Sequence, residues 1–207
     1  MILPTESRTH SIENRDVEDA DLLRRSRTDP ESFADLYDRY FGELHRYAAR
    51  RVVGPAGDDL AAEVFLVAFS QRSRFDPARG SVRAWLYGIA TNLIQRHRRT
   101  EVRGYRALAR MSAEPPSGAG EERLIARVAA SAVRGRLAAA LGRLNARDRH
   151  ALLLVAWAEL SQAEAAAALG VPVGTVASRL HRARRQLREV LGDVDPTQEI
   201  FLHEGVS

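Results

Sequence analysis

Leu160-Ser-Gln-Ala-Glu-Ala-Ala-Ala-Ala-Leu-Gly-Val-Pro-Val-Gly-Thr-Val-Ala-Ser-Arg-Leu-His-Arg-Ala-Arg-Arg-Gln-Leu187 is the stretch from which the fold is read. Ser161 and Glu164 have the spacing of a capping box, in which the Ser161 hydroxyl accepts from the Glu164 N–H and the Glu164 carboxylate reaches back to the N–H of Ser161. Small residues from Ala163 to Leu169 predict a short helix that a second helix can approach closely. Gly170 stands where a left-handed backbone is needed. Pro172 suits the start of the next helix, which runs through Gly174-Thr175-Val176 to about Arg188. Two helices joined by a short glycine turn are the helix-turn-helix arrangement, whose second helix enters the major groove. Its exposed N-terminal positions would face base edges, and the arginines beyond would reach phosphates. An ordinary αα-hairpin is the bland counterpart; capping box, glycine turn, proline start and polybasic exit together argue against it.

Upstream, the pattern is helical throughout. Asp29-Pro30-Glu31 reads as a helix start with Asp29 as cap. Phe33, Leu36, Tyr37, Tyr40, Phe41, Leu44 and Tyr47 follow at helical spacing, and Val52 to Gly57 breaks the run. Leu60, Val64, Val67 and Ala68 share one face of a second helix. After the turn-rich Phe75-Asp-Pro-Ala-Arg-Gly80, Ser81 caps a third, carrying Trp85, Leu86, Ile89, Ala90, Leu93 and Ile94. Past Thr100 the pattern weakens, and Glu114-Pro-Pro-Ser-Gly-Ala-Gly120 has linker composition. Order returns near Val133, and Asn145 caps a helix over Ala146–Ala158. The expected organisation is all-α: a polar, unordered segment over 1–19, a helical domain over 20–100, a flexible linker over 101–132, a helix-turn-helix domain over 133–192, and a tail over 193–207.

Charge is distributed unevenly along the 207 residues, although the net charge is only +4. All 31 basic residues are arginine. Residues 1–43 are acidic overall, Glu101 is the only acid among the arginines from Arg79 to Arg110, and Arg179 to Arg188 contains none. Basic segments on ordinary domains are the footprint of a polyanion binder, the alternative being a solvated face. With no cysteine, disulfides, thiolate-bound zinc and thiol redox sensing are excluded. Met1 to Asp21 lacks the apolar core of a signal peptide, and the longest apolar run, Ala151–Ala158, is too short to cross a bilayer. A cytoplasmic protein with no membrane insertion is expected.

In the N-terminal half, Asp58, Asp59 and Glu63 read as an acidic helix start before they read as metal ligands. Phe75, Trp85 and Tyr87 read as core before stacking platforms. Tyr87 to Arg99 is more pointed, with an apolar face, then Asn92, Gln95 and Arg96-His-Arg-Arg99. A basic helix beside an aromatic loop suits melted nucleic acid.

Two separated blocks resemble one family, the extracytoplasmic-function sigma factors. Phe33-Ala-Asp-Leu-Tyr-Asp-Arg-Tyr40, Asp59-Leu-Ala-Ala-Glu-Val-Phe65, Phe75-Asp-Pro-Ala-Arg-Gly-Ser81 and Ala84-Trp-Leu-Tyr-Gly-Ile-Ala-Thr-Asn92 resemble sigma region 2; Leu160 to Arg184 resembles region 4. The resemblance implies a non-enzymatic subunit that binds core RNA polymerase, reads promoter −10 and −35 elements, needs no cofactor or metal, and is restrained by an anti-sigma factor. Asp59, Leu60, Glu63, Val64 and Phe65 would dock on the coiled coil of the polymerase's largest subunit, and the flap would be a further contact. Phe75, Asp76, Arg79 and Ser81 would capture a flipped −10 base, with Asn92, Arg96 and Arg99 on the adjacent DNA. Thr175, Ser178, Arg179, His181, Arg182 and Arg184 would contact the −35 element, and the polymerase-bound protein would be nucleoid-associated.

Elements about 16 base pairs apart lie roughly 55 Å apart along a duplex. Residues 101–132 reach ~110 Å fully extended and average ~32 Å as a coil, so they can bridge the two if stretched. Two positions depart from the family: Ala177 replaces a usual Arg or Lys, removing a base contact, and Ala166 replaces a larger aliphatic residue. A conventional helix-turn-helix regulator would instead dimerise on symmetric half-sites, and a nuclease would need a convergent metal-binding cluster.

Overall fold

The computed structural model describes residues 5–52, 55–111 and 121–191, which are helical with no strand. The helices are α1 (Thr5–Arg25), α2 (Ala34–Arg51), α3 (Pro55–Gln71), α4 (Val82–Arg96), α5 (Arg98–Met111), α6 (Glu121–Arg143), α7 (Ala146–Ala156), α8 (Gln162–Leu169) and α9 (Val173–Leu191). The expected tail over 193–207 lies outside the described residues.

Helix α1 corrects the expectation of an unordered N-terminal segment from Thr5 onward. The physical reason is Asp19, whose buried carboxylate accepts from the Arg39 guanidinium and the Tyr40 hydroxyl of α2. Such satisfaction is what makes a buried carboxylate tolerable, and Leu22 and Leu23 enter the core one turn later. At the next start, Pro30–Phe33 is a short 3-10 turn rather than part of α2, and Asp29 makes no backbone cap. It accepts from the Ser32 hydroxyl at 2.7 Å instead. Along α2, Leu36, Tyr40, Leu44, Tyr47 and Ala48 are buried; of the stripe read from the sequence, Tyr37 stays exposed and Phe41 half-buried.

The predicted caps form elsewhere. Ser81 accepts from the Ala84 N–H at 3.2 Å and Asn145 from the Asp148 N–H at 2.9 Å. The Glu164 N–H donates to the Ser161 hydroxyl at 3.2 Å, and the Ser161 N–H donates to the Glu164 carboxylate at 2.8 Å. Gly170 has φ 62°, the left-handed turn between α8 and α9. Ser161→Ala should therefore lower stability by about 1 kcal/mol, with faster hydrogen exchange confined to the first turn of α8. An unchanged melt would show that the Glu164 arm of the box suffices.

The expected linker over 101–132 is largely replaced by α5 and the first half of α6, which pack along each other; only 112–120 lies outside the described residues. Two inward residues hold α5 in place, Glu101 and Tyr105, both buried. The Glu101 carboxylate accepts from Arg51 Nε of α2 at 2.7 Å through one oxygen and from Arg149 Nη2 of α7 at 2.9 Å through the other. All three side chains are essentially removed from solvent. Arg149 also donates to the Leu141 and Leu144 carbonyls at 3.2 and 2.8 Å. Burial pushes the Glu101 carboxyl up, but the Arg51 and Arg149 guanidiniums outweigh it and hold the group below the usual carboxylate value. Sequence reading saw α5 as a weakening pattern because its inward positions are an acid and a tyrosine, not aliphatic residues.

One apolar cluster runs through both halves of the chain, from Leu22 through Tyr87 and Ile94 to Leu152, Val176 and Leu191. Helix α8 lies on α4 at its centre. The two helical modules are thus packed against each other.

Candidate nucleic-acid interface

Three surfaces carry the predicted residues. The first is the outer face of α3. Of the five residues assigned to it from the sequence, Leu60, Val64 and Phe65 are buried. Phe65 packs edge-on against Tyr37, ring centroids 4.9 Å apart, and against Phe33 at 6.3 Å. Their assignment to an outward docking face is corrected: apolar residues at i, i+4 and i+5 turn to the core first. Asp59 and Glu63 remain outside, joined by Leu66, which sequence reasoning passed over and which is 71% exposed. The 59–63–66 spacing on a helix would have found it. The acids here do not converge on a common point: Asp58 meets His45 at 2.7 Å, and Glu63 meets Arg96 at 3.6 Å.

The second surface is the loop between α3 and α4. Asp76 accepts from the Ala78 N–H at 3.0 Å and so nucleates the short 3-10 turn Pro77–Arg79. Phe75 rests against Trp85, ring centroids 5.5 Å apart, and both are only half-buried. Together with Arg74, Asp76, Arg79 and Ser81 they line a cavity of about 150 Å³. A half-buried aromatic floor with exposed guanidiniums at the rim can accept a planar base and its phosphate. Ser81 points its hydroxyl at the α4 backbone, so its first duty is the cap. Asn92 and Arg96 are exposed one turn apart at the end of α4, and Arg99 is exposed in the first turn of α5, past the break at His97.

The third surface is α9. Its buried residues, Val176, Leu180, Ala183, Leu187 and Leu191, form the inner stripe, which leaves Ser178, His181 and Arg182 exposed with Thr175 and Arg179 half-buried. Thr175, Ser178, Arg179 and Arg182 face an open cleft of about 760 Å³, shared with Arg147 and Asp148 at the start of α7. His181 and Arg184 do not line that cleft. The Nε of Arg184 is buried and has no hydrogen-bond partner among the described residues. Arg182 is held by Asp148, which accepts at 3.1 and 2.9 Å from its Nε and Nη2. Burial raises the Asp148 carboxyl, but Arg182 and Asn145 outweigh it and hold it below its ordinary value. The Arg182 fork is therefore oriented by a fixed carboxylate, a partner that the sequence separation of the two residues concealed. Ala177 is exposed, consistent with a missing contact rather than a packing residue.

Comparisons with known proteins match this anatomy in chain order. The sigma-70 region 2 family matches residues 36–104 and the sigma-70 region 4 family residues 134–187. The chain is 30% identical over 177 residues to the ECF RNA polymerase sigma factor SigW of Bacillus subtilis, covering 80% of this chain and 92% of that one. It is 33% identical over 165 residues to the ECF sigma factor SigL of Mycobacterium tuberculosis, covering 79% and 90%. Among solved structures, CnrH in complex with the cytosolic domain of CnrY superposes with a TM-score of 0.59 at 28% identity, over 85% of this chain and 99% of CnrH. With both family regions present in chain order, the chain belongs to the ECF family of RNA polymerase sigma factors.

Proposed function

We propose that the chain is a non-enzymatic initiation subunit whose work is divided between its two modules. Residues 20–100 bind core polymerase and the −10 element, and residues 133–192 bind the −35 element. The carrying observation is the α3–α4 loop, where Phe75, Trp85, Arg74 and Arg79 frame a cavity sized for one base. Melting a promoter needs a few kcal/mol per unstacked base by analogy with base-flipping enzymes, and stacking on aromatic rings offsets a comparable amount. Asp76 and Ser81 shape the loop, and Asn92, Arg96 and Arg99 carry the strand away from it.

In the second module Thr175, Ser178, Arg179 and Arg182 face the −35 element, with His181 and Arg184 at its margin. The outward face of α3, Asp59, Glu63 and Leu66, docks on the polymerase. No helix of the described residues is long and apolar enough to cross a membrane, which fits action in the cytoplasm, on the nucleoid when the polymerase is bound. An anti-sigma factor is the natural restraint. CnrH is solved with the cytosolic domain of CnrY, and the sigma factor RpoE of Bartonella quintana with the anti-sigma factor NepR.

Transcription in vitro on a promoter library tests this reading. Initiation should depend on adding core polymerase and this chain together, and on a subset of promoters. No polymerase-dependent initiation on any template, with symmetric-site duplex binding by the chain alone, would instead make it a conventional regulator.

A further inference from the structure

Asp148 stands in the first turn of α7, and its surroundings fix the carboxylate in one place. The side chain is 1% exposed. One oxygen accepts from Asn145 Nδ2 at 2.6 Å, while the Asp148 N–H donates to Asn145 Oδ1 at 2.9 Å, so the cap of α7 and the acid hold each other. The carboxylate in turn holds Arg182 of α9, which donates from Nε at 3.1 Å and from Nη2 at 2.9 Å.

A guanidinium carries five N–H donors in a rigid fork. Asp148 takes the side-on edge, the Nε–H and one hydrogen of Nη2. The end-on edge is left, where Nη1 and Nη2 present two parallel N–H groups, and the Arg182 side chain is 47% exposed. It lines the same open cleft as Thr175, Ser178 and Arg179. Two parallel donors match the O6 and N7 acceptors that guanine shows in the major groove. A phosphate contact draws instead on net charge and the counterions it releases, and a guanidinium compensated by a buried carboxylate has little net charge to give. A guanine contact draws on direction, which is what Asp148 supplies. The plain alternative is an ion pair that ties α7 to α9, but a pair with a half-exposed member adds little to stability.

We propose that Asp148 is a specificity-determining positioning residue: without touching DNA, it makes Arg182 a reader of guanine in the −35 element rather than a phosphate clamp. This rests on the assignment of α9 to that element.

Holoenzyme assembled from core polymerase and the full chain is mixed with a randomised duplex library, and the bound fraction is sequenced. The wild type should enrich an upstream element containing a guanine that Arg182→Ala no longer selects. Asp148→Asn should lose about tenfold of the preference for that guanine over adenine, because an amide oxygen replaces only one of the two acceptors. Its binding to unselected duplex should hold or tighten, since a negative charge has gone. Arg182→Lys keeps the charge without the fork; it should match Arg182→Ala in base preference, and it serves as the test if Asp148→Asn does not fold. Guanine preference retained in Asp148→Asn or Arg182→Lys would overturn the proposal. So would equal losses on selected and unselected duplex, the mark of a merely structural ion pair. In Arg182→Ala the slope of log affinity against log salt should stay as in the wild type; a fall of about 0.9, as for one lost phosphate contact, would also overturn it. A wild type that enriches no sequence at all would remove the −35 assignment together with this inference, whereas the other adverse outcomes remove this inference alone.

Discussion

Glutamine in place of Glu101 is expected to lower the unfolding free energy by roughly 3–5 kcal/mol, read as a fall in the urea midpoint. The substitution keeps the shape of the side chain and removes its charge, leaving Arg51 and Arg149 buried and facing each other without the carboxylate between them. Two uncompensated guanidiniums in a low-dielectric site are worse than none. An unchanged midpoint would mean that water reaches the triad. Acid should act at the same place in two stages. Burial, reinforced by Arg51, lowers the neighbouring His150 imidazole to about 3. Its neutral form is favoured by folding, so that contribution is complete above the unfolded value near 6.5 and is lost as pH falls from there toward 3, at about 1.4 kcal/mol per unit. Glu101, whose folded value is held down, contributes fully above the unfolded value near 4.3 and is lost only as pH falls through that lower folded value. Urea midpoints should therefore begin to decline below pH 6.5 and fall more steeply below about 4.3. A flat profile down to pH 5 would show that His150 is not desolvated.

Leu66→Asp should weaken association with core polymerase by about 100-fold, equivalent to about 2.7 kcal/mol, while leaving the unfolding midpoint within experimental scatter. An apolar side chain standing 71% exposed one turn beyond Glu63, on the same face as Asp59 and Glu63, is placed to be desolvated on binding, as an anchor residue is in an interface. An aspartate there would lose that burial and bring a third charge to the contact. Phe65→Ala should behave in the opposite way, destabilising the fold because its ring is packed on Tyr37 and Phe33. Anisotropy titration of labelled protein with core polymerase separates the two. Wild-type affinity for Leu66→Asp would move the docking face off α3.

Much of the fold was legible because its signals are local. The Ser161 box, the Gly170 turn and the Ser81 and Asn145 caps each depend on residues three or four apart. The basic face of α9 follows from its apolar stripe. What was misread depends on partners far along the chain. Helix α1 looks unordered until Asp19 meets Arg39 and Tyr40. Helix α5 looks like linker until Glu101 meets Arg51 and Arg149. On α3, the family pattern names a helix but not its facing, so Leu60, Val64 and Phe65 read as surface although the core takes them, and exposed Leu66 is passed over. Arg182 looked free because its partner Asp148 lies 34 residues away.

Helix α8 is only eight residues long, yet it is occupied on two sides. Ala165 and Ala166 turn to the inside of its own module, and Ala167 and Ala168 pass close to Gly80 and Gly88 of the other. Such a helix has almost no freedom of composition: a larger residue on one side disturbs the packing of its own module, and on the other the fit against α4 and the loop before it.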